Sequence, residues 1–387
     1  EGGMVLRIVA VSITVSVAVL VALRRRQRRA ALRRLCARLP KAELHAHLHG
    51  SARISTITEC AQGGLDSDRL QALHARERSL EECFAVFGVI HKAVHTRATV
   101  ARITHEVLHD FAADNVKYLE LRSTPRSLDD ACPETYVRTV LGAFRDFECA
   151  QIKAGVVWPM SIRLLLSIDR SRSPTDAMEM VQLAVRLAAE GDEQGVGQYI
   201  VGVDFSGNPT KGSFGAFIPA LTEARRQRLR IALHGAEIEG SDAEMNEMIA
   251  FGPERLGHAL HLTPVHKQAL MERRIPIEIC PTSNMKTLRL RSLTWHPTLR
   301  SWQEAAYPIS INTDDSGVFS TSASQELYLA SLACNLTAAQ VVALSLAPLN
   351  HCFENRAPVL QSLQARFIRL CGEAEAMYMR EMRSWWA

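Results

Sequence analysis

The 387-residue chain has no Cys-x-x-Cys pair. Its nine cysteines, at 36, 60, 83, 132, 149, 280, 334, 352 and 371, are odd in number and scattered. That excludes a disulfide framework and a cysteine zinc cluster, and it points to a reducing compartment. No low-complexity tract follows the first forty residues, and a hydrophobic fraction of 47% suffices for a large core. The body also lacks a basic surplus. Residues 1–39 hold nine arginines against one glutamate, a net of +8, while the whole chain carries +4, so residues 40–387 carry −4. A mildly acidic body gives no footing for a nucleic-acid groove.

The leader, residues 1–38, has two parts. An uncharged apolar run at 8–23, extended to Val5 if Arg7 is tolerated, is close to the minimum for spanning a bilayer. An arginine-rich stretch follows at 24–38. A secretory signal carries its charge before the apolar run, so the order here is wrong for one. The positive-inside rule would leave the body in the cytosol, tethered through residues 5–23. The same leader also reads as an extension of the gene model, because Glu1-Gly2-Gly3 precedes the first methionine. Either way the folded body is expected over 39–387, as a cytoplasmic monomer.

Eight short apolar runs of β character recur along that body, at 42–48, 117–121, 162–168, 200–205, 230–233, 255–258, 276–279 and 309–312. Between them, stretches such as 80–95, 99–114, 136–153, 174–190, 214–228 and 265–274 repeat apolar residues at three and four, the helical period. Strands alternating with helices predict parallel βαβ units, and eight repeats predict a closed (β/α)8 TIM barrel. Extra helices are expected in the first βα connection (51–115) and in the C-terminal tail (322–387).

Catalytic groups of such barrels sit at the C-terminal ends of the strands. The reactive residues of this chain fall there: His45 and His47, Asp169, Gly207, His234, His258, and the pair Asp314 and Asp315. His45 and His47 lie two apart on a strand, so their imidazoles share a face, which suits one metal ion. With His234 and one of the two aspartates they form a nitrogen and oxygen donor set better suited to zinc than to calcium or magnesium. Neighbours on a strand face opposite ways, so one aspartate is expected as ligand and the other as hydrogen-bond partner. Bound zinc would bring a water's pKa to about 7. His258 is a candidate to accept that water's proton, and Glu237, three residues past His234, a candidate to donate one to the substrate. Arg126 offers a charge-assisted fork beside the hydroxyls of Ser123 and Thr124, just past a strand end, a pattern that suits a phosphate.

The ordered signatures His45-Ala46-His47-Leu48, Ser206-Gly207-Asn208-Pro209, His234-Gly235-Ala236-Glu237, Gly257-His258, Cys280-Pro281-Thr282-Ser283-Asn284 and Asn312-Thr313-Asp314-Asp315 resemble the adenosine/AMP deaminase group of zinc-dependent barrels, over nearly all of residues 39–387. Segments 80–84, 116–126 and 314–319 look most like its adenosine deaminase-like branch, the N6-methyl-AMP deaminases. The resemblance implies one Zn2+ held by His45, His47, His234 and Asp314. It implies Glu237 as proton donor to purine N1, His258 assisting the attacking water, and Asp315 holding that water or the substrate. It places Gly207 against the purine, Asp169 at the ribose, and His91 with Ser123, Thr124, Pro125 and Arg126 at the 5′-phosphate; His47 would also border the substrate. The implied reaction is hydrolytic deamination of N6-methyl-AMP to IMP and methylamine, on a small-molecule purine nucleotide. Two other readings stand beside it: a nucleoside adenosine deaminase, and a silent, membrane-anchored deaminase-like binding protein. One position departs from the branch, His49, where it usually carries Asn.

Overall fold

The computed structural model describes residues 2–61, 73, 79–190 and 196–384, with the side chains of 2–18 outside the description. Eight parallel strands run in the order β1 (Lys41–His47), β2 (Val116–Ser123), β3 (Ser161–Asp169), β4 (Ile200–Ser206), β5 (Arg230–Gly235), β6 (Arg255–His258), β7 (Ile277–Ile279) and β8 (Ile309–Ile311), each hydrogen-bonded to the next. The strands are almost wholly buried on both faces, as sheets covered by helices require.

The ring closes between β8 and β1. Ala46 bridges to Asp314, the Leu44 N–H donates to Asn312 Oδ1 at 3.1 Å, and the Thr313 N–H donates to Glu43 Oε2 at 3.0 Å. The fold is the expected TIM barrel. The helices expected at 80–95, 99–114, 136–153, 174–190, 214–228 and 265–274 are found at Leu80–Ala93, Arg97–Ala113, Pro133–Lys153, Pro174–Ala189, Phe214–Arg226 and Pro264–Arg273. Ser79, Ser173 and Thr263 cap three of them with their side chains, which sets where those helices begin. Helices also occupy the first βα connection (Leu48–Ser51, Ile54–Cys60) and the tail (Ala323–Ala333, Ala338–Leu346, Ala357–Arg383). A helix at Asp242–Phe251, between β5 and β6, was not among the periodic stretches.

A single helix, Gly2–Arg38, carries the leader. Ala31, Leu35 and Cys36 are fully buried in the main core, so the end of this helix packs with the barrel. Most of the apolar run expected at 5–23 falls outside the residues with described side chains. Among the described residues, no helix is long and apolar enough to cross a membrane.

Candidate metal centre and active site

The strand tips build the site. Ala236, His258 and Asp314, at or just beyond the ends of β5, β6 and β8, take left-handed backbone conformations (φ 53°, 62° and 61°). Such conformations cost about 1–3 kcal/mol in non-glycine residues and persist where the surroundings over-determine them. Of the three, His258 and Asp314 line the cavity at the barrel mouth.

His45, His47, His234 and Asp314 each offer one donor atom, and all four atoms lie within 4.8 Å of one another. His47 Nε2 and His234 Nε2 are 3.2 Å apart; Asp314 Oδ1 lies 3.3 Å from His45 Nε2 and 3.5 Å from His47 Nε2. His45 Nε2 is buried without a well-formed hydrogen bond, and two imidazole nitrogens face each other. Buried polar atoms in that state call for a partner. Three nitrogens and one oxygen fit a borderline-soft divalent metal, so the residues present fit zinc.

Groups behind the four fix their orientation. Glu278 Oε2 takes His45 Nδ1 at 2.7 Å, Asp204 Oδ1 lies 3.1 Å from His234 Nδ1, and the Ser283 hydroxyl donates to Asp314 Oδ2 at 2.7 Å. Carboxylates behind metal-binding histidines set the tautomer and raise ligand basicity. Glu278 and Asp204 are themselves held by buried arginines. Arg122 bonds both, and Arg255 donates to Glu278 Oε1 at 2.5 Å and to Glu120 Oε2 at 2.5 Å. Sequence reading missed this layer, although Asp204, Glu278 and Glu120 were visible as charged residues inside runs destined for burial, where charges must be paired. Gly257 makes room for the first ligand: a Cβ there would stand 2.8 Å from His45 Cε1.

Around this cluster a cavity is lined by most of the expected substrate and catalytic residues: His47, His91, Ser123, Thr124, Asp169, Gly207, Glu237, His258 and Asp315. Phe84, Phe87 and Leu260, not among the predicted contacts, line it too, as does His49, the position that departs from the branch. Asp314 joins the cluster and Asp315 does not, in line with the expected division; yet both line the cavity, because both lie beyond the end of β8 at Ile311, where strand alternation no longer applies. Asp315 lies so close to Gly50 that a Cβ on Gly50 would meet its Oδ1 at 1.7 Å. Pro125 and Arg126 are not on the wall. The Arg126 guanidinium bonds the Val94 carbonyl behind it, and its charge adds to the burial that holds the His91 imidazole down at about 4.

Burial sets the proton affinities of the acids. It raises the Glu237 carboxyl, with the charge of Asp314 adding to the shift. It raises the Asp315 carboxyl well above the usual range, aided by the charges of Asp314 and Glu237. Both shifts favour the protonated forms, which a metal ion nearby would counter. His258 Nε2 lies 3.7 Å from Glu237 Oε2 across the same opening. The arrangement pairs a cluster that could hold a metal ion with titratable side chains at one cavity.

Comparisons with known proteins agree with this geometry. The adenosine deaminase family profile matches residues 40–357. An adenosine deaminase-like protein of Drosophila melanogaster is 37% identical over 330 residues, covering 84% of this chain and 94% of that protein. The N6-mAMP deaminase of Arabidopsis thaliana is 38% identical over 338 residues, covering 81% and 92%. The crystal structure of an Arabidopsis ADAL complexed with IMP superposes with a TM-score of 0.78 at 35% identity, covering 88% of this chain and 99% of that one. The chain belongs to the adenosine deaminase family.

Proposed function

We propose that this protein is a zinc-dependent hydrolase that converts N6-methyl-AMP to IMP and methylamine. The observation that carries the reading is the strand-tip cluster of His45, His47, His234 and Asp314 set beside Glu237, His258 and Asp315 in one cavity. The names of the relatives, N6-mAMP deaminase among them, and the IMP in the complexed neighbour support the nucleotide as substrate.

Zinc held by the four residues would supply Lewis acidity and a water activated near neutral pH. The residues of the chain do the rest. Glu237, whose carboxyl burial raises above its ordinary value, donates to purine N1 as negative charge develops there when C6 is attacked. His258 and Asp315 hold the attacking water against C6. Gly207, at φ 103°, presents backbone to the purine where a side chain would obstruct it. Asp169 meets the ribose, and Ser123, Thr124 and His91 meet the 5′-phosphate, with Arg126 behind them supplying charge. Phe84, Phe87 and Leu260 exclude water from the purine face of the opening. Methylamine release from N6-methyl-AMP by purified, zinc-loaded protein tests the reading, and its absence at stoichiometric zinc would sink it.

The leader adds a second reading, that residues 5–23 hold the barrel at a membrane. Val19, Leu20, Val21 and Leu23 are exposed on the helix, and exposed arginines follow them. Flotation of the full chain with vesicles, against a chain lacking residues 1–18, tests it; equal behaviour of the two contradicts it.

A further inference from the structure

His258 is the cavity group whose role depends most on where a single proton sits. If Nδ1 carries it, Nε2 is a base; if Nε2 carries it, the same ring is a hydrogen-bond donor. The partners of His258 leave only one arrangement. Its Nδ1 lies 3.0 Å from the side-chain amide of Asn284, which is buried and 1% exposed.

Which end of that amide faces His258 is settled from the other side. The backbone N–H of Cys280, which can only donate, points at Asn284 Oδ1 at 3.3 Å. His296 Nε2 also lies 3.2 Å from Oδ1. His296 Nδ1 is occupied by two backbone donors, the N–H groups of Thr298 at 3.3 Å and Leu299 at 3.0 Å. The proton of that neutral ring is therefore on Nε2, facing Oδ1; burial holds the His296 imidazole down at about 4, so it stays neutral. Two independent donors thus place the oxygen of Asn284 away from His258 and its NH2 toward it. An NH2 cannot accept, so the nitrogen it meets must.

We infer that Asn284, oriented by His296 and the Cys280 N–H, is a positioning residue that holds His258 with its proton on Nε2, so that His258 faces the cavity as a hydrogen-bond donor. This replaces the base expected from sequence with a group that holds the attacking oxygen. Gaining a second proton would set an Nδ1–H against the NH2 of Asn284, so the ring is also discouraged from becoming an imidazolium. The inference rests on the proposed function for the identity of the oxygen that His258 meets, but the tautomer stands on the contacts alone.

The test is Asn284→Asp in the zinc-loaded full chain. The aspartate keeps both acceptor contacts, to His296 and to Cys280, and replaces the one outward donor by an acceptor. Ring-15N-histidine spectra, with His258 identified by its loss in His258→Gln, should show Nδ1 unprotonated in the wild type and protonated in Asn284→Asp. The variant should keep its zinc, and its kcat should fall about 100-fold or more, as reversal of a catalytic imidazole's tautomer does elsewhere, with KM changed by less than about threefold. A wild-type spectrum with the proton on Nδ1 would overturn the inference, as would an Asn284→Asp enzyme within about twofold of wild-type kcat. The wild-type spectrum decides even if the variant fails to fold. Failure of the wild type to release methylamine counts against the proposed substrate and leaves the tautomer measurement standing.

Discussion

The amide of Asp314 donates to the carbonyl of His45 at 2.9 Å, and their side chains meet at 3.3 Å between Oδ1 and Nε2. The His47 N–H in turn donates to the Asp314 carbonyl at 2.9 Å. These contacts join the last strand to the first, so the seam that closes the barrel is also where ligands from opposite ends of the sequence meet. Metal binding and barrel closure are therefore expected to be coupled, because a group that binds only the folded state stabilises it.

Chelation should accordingly lower thermal stability. At a thousandfold excess of free zinc over its dissociation constant the linkage contributes about 4 kcal/mol. Differential scanning calorimetry of the loaded and chelated protein should show the loss as a drop of several degrees in Tm. Asp314→Ala should abolish stoichiometric zinc in elemental analysis and remove the chelator's effect on Tm.

Glu278→Gln tests the layer beneath the metal. The carboxylate holds His45 and neutralises two fully buried arginines, Arg122 and Arg255. Removing its charge leaves buried cations undercompensated, which costs about 3–5 kcal/mol. Zinc affinity should also fall about 10–100-fold. Urea denaturation and a competitive zinc titration read the two effects separately.

Gly257→Ala should act on the first ligand without changing any charge. The added methyl would lie 2.8 Å from His45 Cε1, closer than real contacts allow, and the ring would have to move. Weakened zinc binding with retained secondary structure by circular dichroism is the expected outcome.

A pH test away from the metal uses Glu326. Burial raises this carboxyl from 4.5 to about 7, although it accepts hydrogen bonds from the Thr282 N–H and the Thr321 hydroxyl. A raised carboxyl keeps its proton on folding, so its contribution is fully present below about pH 4.5 and is lost as pH rises through about 7. The loss across that window is on the order of 3 kcal/mol. Glu326→Gln should remove this component from the pH dependence of unfolding free energy, seen as a flatter slope between those pH values.

Much of this architecture was legible in the sequence. Short β-branched runs mark strands because buried parallel strands must be apolar throughout, and capped periodic stretches mark helices. The four residues of the candidate metal cluster stood out because strand-end position and residue chemistry coincide at each of them. The supporting charges were less so. Glu278 meets Arg122 and His45 across 156 and 233 residues, and no local pattern reports such distances. Arg126 looked like a direct phosphate contact, yet the turn carries its guanidinium to the Val94 carbonyl, a direction that depends on how the helix Leu80–Ala93 packs. The helix at Asp242–Phe251 escaped notice because acidic residues and methionines blur its apolar period.

The most direct test of the account is kcat/KM for N6-methyl-AMP, AMP and adenosine on the same zinc-loaded preparation. The account predicts that N6-methyl-AMP is the best of the three, with adenosine slower by about tenfold or more. It also predicts that Arg126→Ala narrows the gap by lowering the rate on the nucleotides alone. Adenosine as the best substrate, or an Arg126→Ala enzyme with undiminished nucleotide turnover, would contradict it.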